Sequence, residues 1–314
     1  MSFSSEVKEE LTRVIGTPRH CQIAEITAIL SVCGRIQISE NQTYKILVCT
    51  ENSGVAKKYY SLLKKIFQIN ASLLITKNDY LKKNNLYRVK VENHDQALQI
   101  LKATKLIDGN GEIEEDFPIA PYLLQKECCK RAFLRGIFLS SGSISDPEKN
   151  YHFEIVCSSK KRAEFLQNMM SSFHIESKII LRKKYHVLYI KEGSLIVDIL
   201  NVMEAHTALM KLENVRILKD MRNSVNRRVN CETANINKTV SAAIKQVEDI
   251  LYIKEKIGLD NLPKGLSEIA QVRLNQPEAT LKELGTMLNP PVGKSGVNHR
   301  LRKLSDMADE LRQN

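Results

Sequence analysis

Two apolar runs dominate the hydrophobic pattern, IAEITAILSVCG at 23–34 and AFLRGIFLSSG at 132–142, and each predicts a buried helix that stops at a glycine. Gly34 and Gly142 stand 108 positions apart, and the same offset aligns Ala24 with Ala132, Ala28 with Gly136, Val48 with Val156 and Cys49 with Cys157. Such agreement reads as an internal duplication.

The segments that follow also match. Each helix leads to a short extended stretch and turn (RIQISENQTYKILV; SISDPEKNYHFEIV), an amphipathic helix (SGVAKKYYSLLKKIF; SKKRAEFLQNMMSSF), a strand pair (SLLITKNDYLKKNNLYRVKVEN; SKIILRKKYHVLYIKEG) and a closing helix (DQALQILKAT; LIVDILNVMEA). Residues 1–219 therefore read as two αββαββα halves, about 1–108 and 109–219, of an α+β domain whose short polar connections favour antiparallel hairpins. Small residues recur every four positions in the first helices, at Ala24 and Ala28 and at Ala132, Gly136 and Ser140, which places a small-residue stripe on one face of each. Glycine within a helix costs about 1 kcal/mol relative to alanine, so Gly136 implies two helix backbones in close approach, a pseudo-twofold seam.

From 220 to 238 the periodicity fades and asparagine rises, which predicts a basic inter-domain linker carrying Arg222, Arg227 and Arg228. Helical patterns resume at 239–314. Thr280 and Glu283 form a capping box, NPPVG at 289–293 must break the chain, and Ser295 is a natural cap for the last helix. Leu281, Leu284 and Leu288 on one short helix, then Val297, Leu301 and Leu304 on the next, make a helix-turn-helix pattern, with Lys294, Ser295, Asn298, His299, Arg300, Arg302 and Lys303 on or beside the outward face of the second helix. Arginine and asparagine there are the side chains able to make bidentate contacts to guanine and adenine.

Composition sharpens this picture. Lys and Arg total 47 against 36 acidic residues, a net charge of +11, which favours a polyanionic partner, here double-stranded DNA. Glu6, Glu9 and Glu10 occupy the place where an export signal needs basic and then apolar residues, and the apolar stretch before Gly34 is too short to cross a bilayer, so a cytoplasmic, nucleoid-associated protein without a membrane is expected. The odd cysteine count, with no C-x-x-C and no Cys/His cluster at zinc spacing among the seven, reads as reduced cysteines in packing roles and implies neither cofactor nor metal. Period-two spacing puts Lys178, Arg182, Lys184 and His186 on one side of the second half's sheet, and Arg88 and Lys90 on one side in the first; solvated faces account for them as well as DNA contact does.

Two αββαββα halves joined through glycine-ended helices resemble the LAGLIDADG homing endonucleases, with ITAILSVCG at 26–34 and LRGIFLSSG at 134–142 at the two motifs. In that family the acidic residue before each final glycine holds the divalent metal that cleaves DNA; here those positions are Cys33 and Ser141. A thiol and a hydroxyl, neutral at pH 7, are poor ligands for a hard Mg²⁺ ion, and Asp146 and Glu148 lie in a turn-forming DPEK, so the resemblance implies a retained fold without catalysis. The opening MSFSSEVKEEL, CCKRAFLRGIFLSSGSISDPEKNYHFEIV, RNSVNRRVNCETANINKTV and GKSGVNHRLRKLSDMA together resemble the WhiA family of Gram-positive bacteria. That resemblance implies a transcription regulator of sporulation and cell division, a degenerate LAGLIDADG domain fused to a helix-turn-helix, not an enzyme. It is expected as a monomer with internal pseudo-twofold symmetry, with a regulatory protein partner on its N-terminal domain. The competing readings are an endonuclease with atypical metal ligands and a protein-interaction scaffold.

Overall fold

A computed structural model describes residues 2–39, 43–77, 85–107 and 120–313. The chain forms two compact units, Met1–Lys219 and Asp220–Asn314. Residues 40–42, 78–84 and 108–119, where the sequence pattern predicts connections within and between the halves, lie outside the described residues.

The first half contains α1 (Phe3–Arg13), α2 (Arg19–Cys33), β1 (Gly34–Ile38), β2 (Tyr44–Thr50), α3 (Ser53–Phe67), β3 (Ser72–Lys77), β4 (Asn85–Val91) and α4 (His94–Thr104). The second repeats the order from α5 (Glu127–Ser141) through β5 (Gly142–Ile144), β6 (Phe153–Cys157), α6 (Lys160–Ser171), β7 (Lys178–Arg182), β8 (Tyr185–Ile190) and α7 (Gly193–Met203). Each half is an antiparallel four-stranded sheet, ordered β1-β2-β4-β3 and β5-β6-β8-β7, so the duplicated α+β architecture stands as read from the sequence.

Helices α2 and α5 form the seam. Both are buried nearly all round, and a Cβ added to Gly136 would stand 2.6 Å from the Ala28 Cβ and 2.9 Å from the Glu25 carbonyl. The terminal glycines have a different cause from a left-handed cap. Gly34 has φ −82° and Gly142 φ −85°, both extended, and each is the first residue of a strand. A Cβ would meet the Leu30 carbonyl oxygen at 2.3 Å and Phe138 Cδ2 at 2.2 Å, so glycine lets the chain pass from helix to strand with no loop.

A charged network crosses the core of this unit. Glu25 on α2 accepts from Arg135 on α5 at 2.9 Å and pairs with Lys58 on α3 at 2.5 Å, and Arg135 reaches Glu204 at 2.7 Å. Lys58 also donates at 2.7 Å to the carbonyls of Leu11 and Val14 at the end of α1. Buried charges are tolerable only when paired, and this network ties the helices of both halves together.

The segment expected as a linker is helical instead. Helix α8 runs unbroken over His206–Lys256, and every residue from 221 to 242 is exposed. Its asparagines and β-branched residues are only weak helix formers, but extension adds one hydrogen bond for each residue fixed, so a helix packed at both ends propagates through such a stretch.

Beyond α8 lie α9 (Lys264–Asn275), α10 (Leu281–Met287) and α11 (Lys294–Gln313), around a core of Ile250, Ile253, Leu266, Ile269, Leu284, Leu288, Val297, Leu301 and Leu304. The capping box is present: Thr280 Oγ1 accepts from the Glu283 amide, and Glu283 accepts from the Thr280 amide at 2.7 Å. Ser295 is not the cap of α11. The Gly293 carbonyl accepts the first intrahelical bond, from Val297, which puts Ser295 within the first turn. The connection between α10 and α11 folds tightly back, with the Val292 amide on the Gly285 carbonyl at 2.9 Å, and a Cβ on Gly285 would lie 2.1 Å from the Val292 oxygen.

Candidate nucleic-acid interface

The apolar side of α11 is fully committed to the core, so the opposite side is what it can offer. Lys294, Ser295, Asn298, His299, Arg302 and Lys303 are all exposed there. Lys294, Ser295 and Asn298 line a depression of about 570 Å³ with Leu281 from the start of α10, so the two helices of the motif shape one edge together. Lys282 and Thr286 on α10 are exposed as well, and the sequence pattern did not single them out.

Arg300 departs from the expected face. It is half-buried, and its Nη1 donates to the Gly265 carbonyl at the start of α9 at 3.4 Å, with the guanidinium stacked over that glycine. One step of about 100° along a helix separates it from His299 and turns it toward the core side. Arg300 braces the bundle rather than presenting to a ligand.

Arg222, Arg227 and Arg228 are exposed on α8, with Arg228 Nε 3.9 Å from Glu232. Neighbours in sequence, they fan around the helix, with Arg227 and Arg228 about 140° and 240° from Arg222. They do not make a single patch.

At the end of the seam where α2 and α5 meet β1 and β5, neither helix delivers a carboxylate. Burial pushes the Cys33 thiol up, with Ser140 and Lys8 pulling partly back, so the group is a neutral thiol at pH 7. Lys8 lies beside it, held over the Phe138 ring, and its own ammonium is pulled down by burial. Ser141 donates to the Ile137 carbonyl at 3.4 Å and lines a pocket of about 530 Å³ with Ser31, Cys157 and Arg162. Arg162 donates to the Ser31 carbonyl at 2.7 Å across the seam. Two cationic side chains thus stand near the positions of the family's acids. Asp146 accepts from the Glu148 amide at 3.0 Å in a turn, and neither residue lines this pocket.

The basic residues expected on one side of the second sheet divide between its faces. Lys178 lies opposite Tyr189 and Arg182 opposite Tyr185, whereas His186 lies opposite Leu181 on the other face. The tight hairpin at Lys183 and Lys184, with Lys183 at φ 56°, pairs even with odd positions and reverses the alternation. Arg88 and Lys90 do share a face, opposite Cys49 and Leu47.

The sequence holds no Cys/His cluster at zinc spacing, but the fold brings four such residues together from distant segments. His20, Cys21, Cys128 and Cys129, remote in sequence, bring one donor atom each to within 4.8 Å of one another. The available signal was the repeat itself, since His20 and Cys128 are separated by the same 108 positions.

Two LAGLIDADG-like repeats with Cys33 and Ser141, not acids, before the seam's terminal glycines, followed by a helix-turn-helix bundle, define a degenerate endonuclease fold joined to a helix-turn-helix domain. Family models for the WhiA N-terminal LAGLIDADG-like domain, the WhiA LAGLIDADG-like domain and the WhiA C-terminal HTH domain match residues 19–107, 130–222 and 225–308. The chain belongs to the WhiA family. It is 56% identical over 313 residues, all of both chains, to the probable cell division protein WhiA of Lachnoclostridium phytofermentans, and 48% identical over 313 residues to that of Clostridium perfringens, covering 99% of each. The crystal structure of full-length DUF199/WhiA from Thermatoga maritima matches with a TM-score of 0.61 at 25% identity, covering 99% of both chains. No helix among the described residues is long and apolar enough to cross a membrane.

Proposed function

We propose that this protein is a sequence-specific double-stranded-DNA-binding transcription regulator, acting in the cytoplasm on the nucleoid, with control of cell division and sporulation as its role and no nuclease activity. The observation that carries the reading is the exposed polar and basic side of α11, where Lys294, Ser295, Asn298, His299, Arg302 and Lys303 stand clear of a core that takes the whole opposite side. A helix set this way in a helix-turn-helix enters the major groove, with Asn298 suited to adenine and Arg302 and Lys303 to guanine or phosphate. The net charge of +11 adds the non-specific attraction. The relatives' name, probable cell division protein, supports the physiological side.

Loss of nuclease activity rests on Cys33 and Ser141 standing where acids would be, with Lys8 and Arg162 nearby, since cations there repel a divalent metal instead of holding it. A regulatory protein partner on the N-terminal unit is favoured by the open face of the second sheet. Val156, Ile180 and Tyr185 are exposed there, with Lys178 on the edge strand and Arg182 3.6 Å from Glu154, and a face that mixes exposed apolar side chains with a paired carboxylate suits a protein better than a phosphate backbone. The protein is expected to act as a monomer, its duplicated halves supplying the symmetry that dimers elsewhere provide.

Binding of the purified chain to fragmented genomic DNA, read by sequencing, tests the reading. Enrichment of one motif that disappears with Asn298→Ala supports it, and uniform recovery of all fragments refutes sequence-specific binding.

A further inference from the structure

At the end of the seam opposite Cys33 and Ser141, the first turn of α2 carries His20 and Cys21 and the first turn of α5 carries Cys128 and Cys129. The two pairs occupy equivalent places in the two halves, and side chains related by a pseudo-twofold axis converge where that axis leaves the helix pair. His20 Nδ1 lies 3.2 Å from Cys129 Sγ, 3.3 Å from Cys21 Sγ and 4.0 Å from Cys128 Sγ.

Hydrogen bonding alone leaves this arrangement unexplained. A neutral imidazole nitrogen accepts one proton, yet three sulfurs surround this one. Zinc bonds of about 2.3 Å to sulfur and about 2.0 Å to nitrogen put tetrahedral donors ~3.5–3.8 Å apart, so the cluster needs only small side-chain rotations to close on an ion. Three sulfurs and one imidazole are a structural zinc set, and soft thiolates select zinc over magnesium or calcium. Both pairs sit at helix N-termini, whose positive ends favour thiolate. A metal takes cysteine as thiolate, so uptake of the ion would release the thiol protons. His20 and Cys128 are exposed and give the ion a way in.

We propose that His20, Cys21, Cys128 and Cys129 form a zinc-class site in which Zn²⁺ staples the two repeats at the N-terminal end of the seam. Each half supplies two of the four ligands, so the site exists only when both have folded and docked.

The test uses the full-length chain, reduced, stripped with a chelator and titrated with Zn²⁺ against a chromophoric chelator. One equivalent per chain is expected, with the d–d and thiolate charge-transfer absorption of tetrahedral coordination when Co²⁺ replaces zinc. Because Cys21 is buried and its variants could misfold, the exposed positions are the ones to change. His20→Ala and Cys128→Ser should each weaken zinc affinity at least about tenfold with unchanged circular dichroism, while Cys33→Ser and Cys231→Ser leave it unaltered. Failure of the reduced protein to take up stoichiometric zinc would overturn the proposal. So would uptake that survives both His20→Ala and Cys128→Ser, or disulfide formation among these cysteines as the only response to added metal.

Discussion

Gly136 and Ala28 face each other across the α2–α5 seam so closely that one added carbon would bring their Cβ atoms to 2.6 Å. This contact holds the two repeats in register. Gly136→Ala should destabilise the N-terminal unit by about 1–3 kcal/mol, the usual cost of overpacking. Adding Ala28→Gly should recover only part of that, because the Glu25 carbonyl also stands in the way. Urea denaturation of the three proteins checks both statements.

Beside that contact, Glu25 holds Lys58 and Arg135. Glu25→Gln would leave two buried cations without their shared anion and should cost about 3–5 kcal/mol. Burial pulls the Lys58 ammonium down to about 8. Between that value and its ordinary range near 10.5, the unfolded chain holds a proton that the folded chain has released, so this group's contribution to stability rises with pH through that window and is flat below it. Stability measured from pH 7 to 10 should therefore gain relative to Lys58→Met as the pH increases; a constant difference would refute the assignment.

The two ends of the seam should answer to different ions. Mg²⁺ or Mn²⁺ should neither nick supercoiled plasmid nor raise the melting temperature, because Lys8 and Arg162 lie near Cys33 and Ser141 where carboxylates would be required. Cys33→Asp with Ser141→Asp should restore at most metal binding, the supporting shell being absent. Cleavage by the native chain would contradict the whole reading of a disarmed fold.

Asn298 and the α8 arginines should separate cleanly in a salt titration. Asn298→Ala should cost about 1–3 kcal/mol on a cognate duplex and almost nothing on a scrambled one. Arg227→Ala and Arg228→Ala should weaken both duplexes alike and lower the salt slope by about one for each phosphate no longer neutralised. Equal losses on the two duplexes for Asn298→Ala would remove it from base readout.

Arg300 should behave as a structural residue. Its bond to the Gly265 carbonyl predicts that Arg300→Ala lowers the stability of the C-terminal unit by about 1 kcal/mol. Specificity among duplexes should be unchanged, and a relaxed base preference at one position would show that the side chain leaves Gly265 to reach DNA.

The sequence by itself determined whatever local periodicity controls. The 108-residue offset marked the duplication, alternation of helix and strand patterns yielded the αββαββα order, and Thr280 with Glu283 marked the start of α10, because caps and amphipathic faces are decided by neighbours three or four positions away. Tertiary structure decided what depends on distant partners. A hairpin turn reversed which residues of β7 and β8 share a face, packing beyond its ends carried α8 through a stretch of weak formers, and Gly265 drew Arg300 inward. Only the docking of α2 on α5 could bring His20 and Cys21 to Cys128 and Cys129, since each half holds two donors and the pseudo-twofold contact joins them.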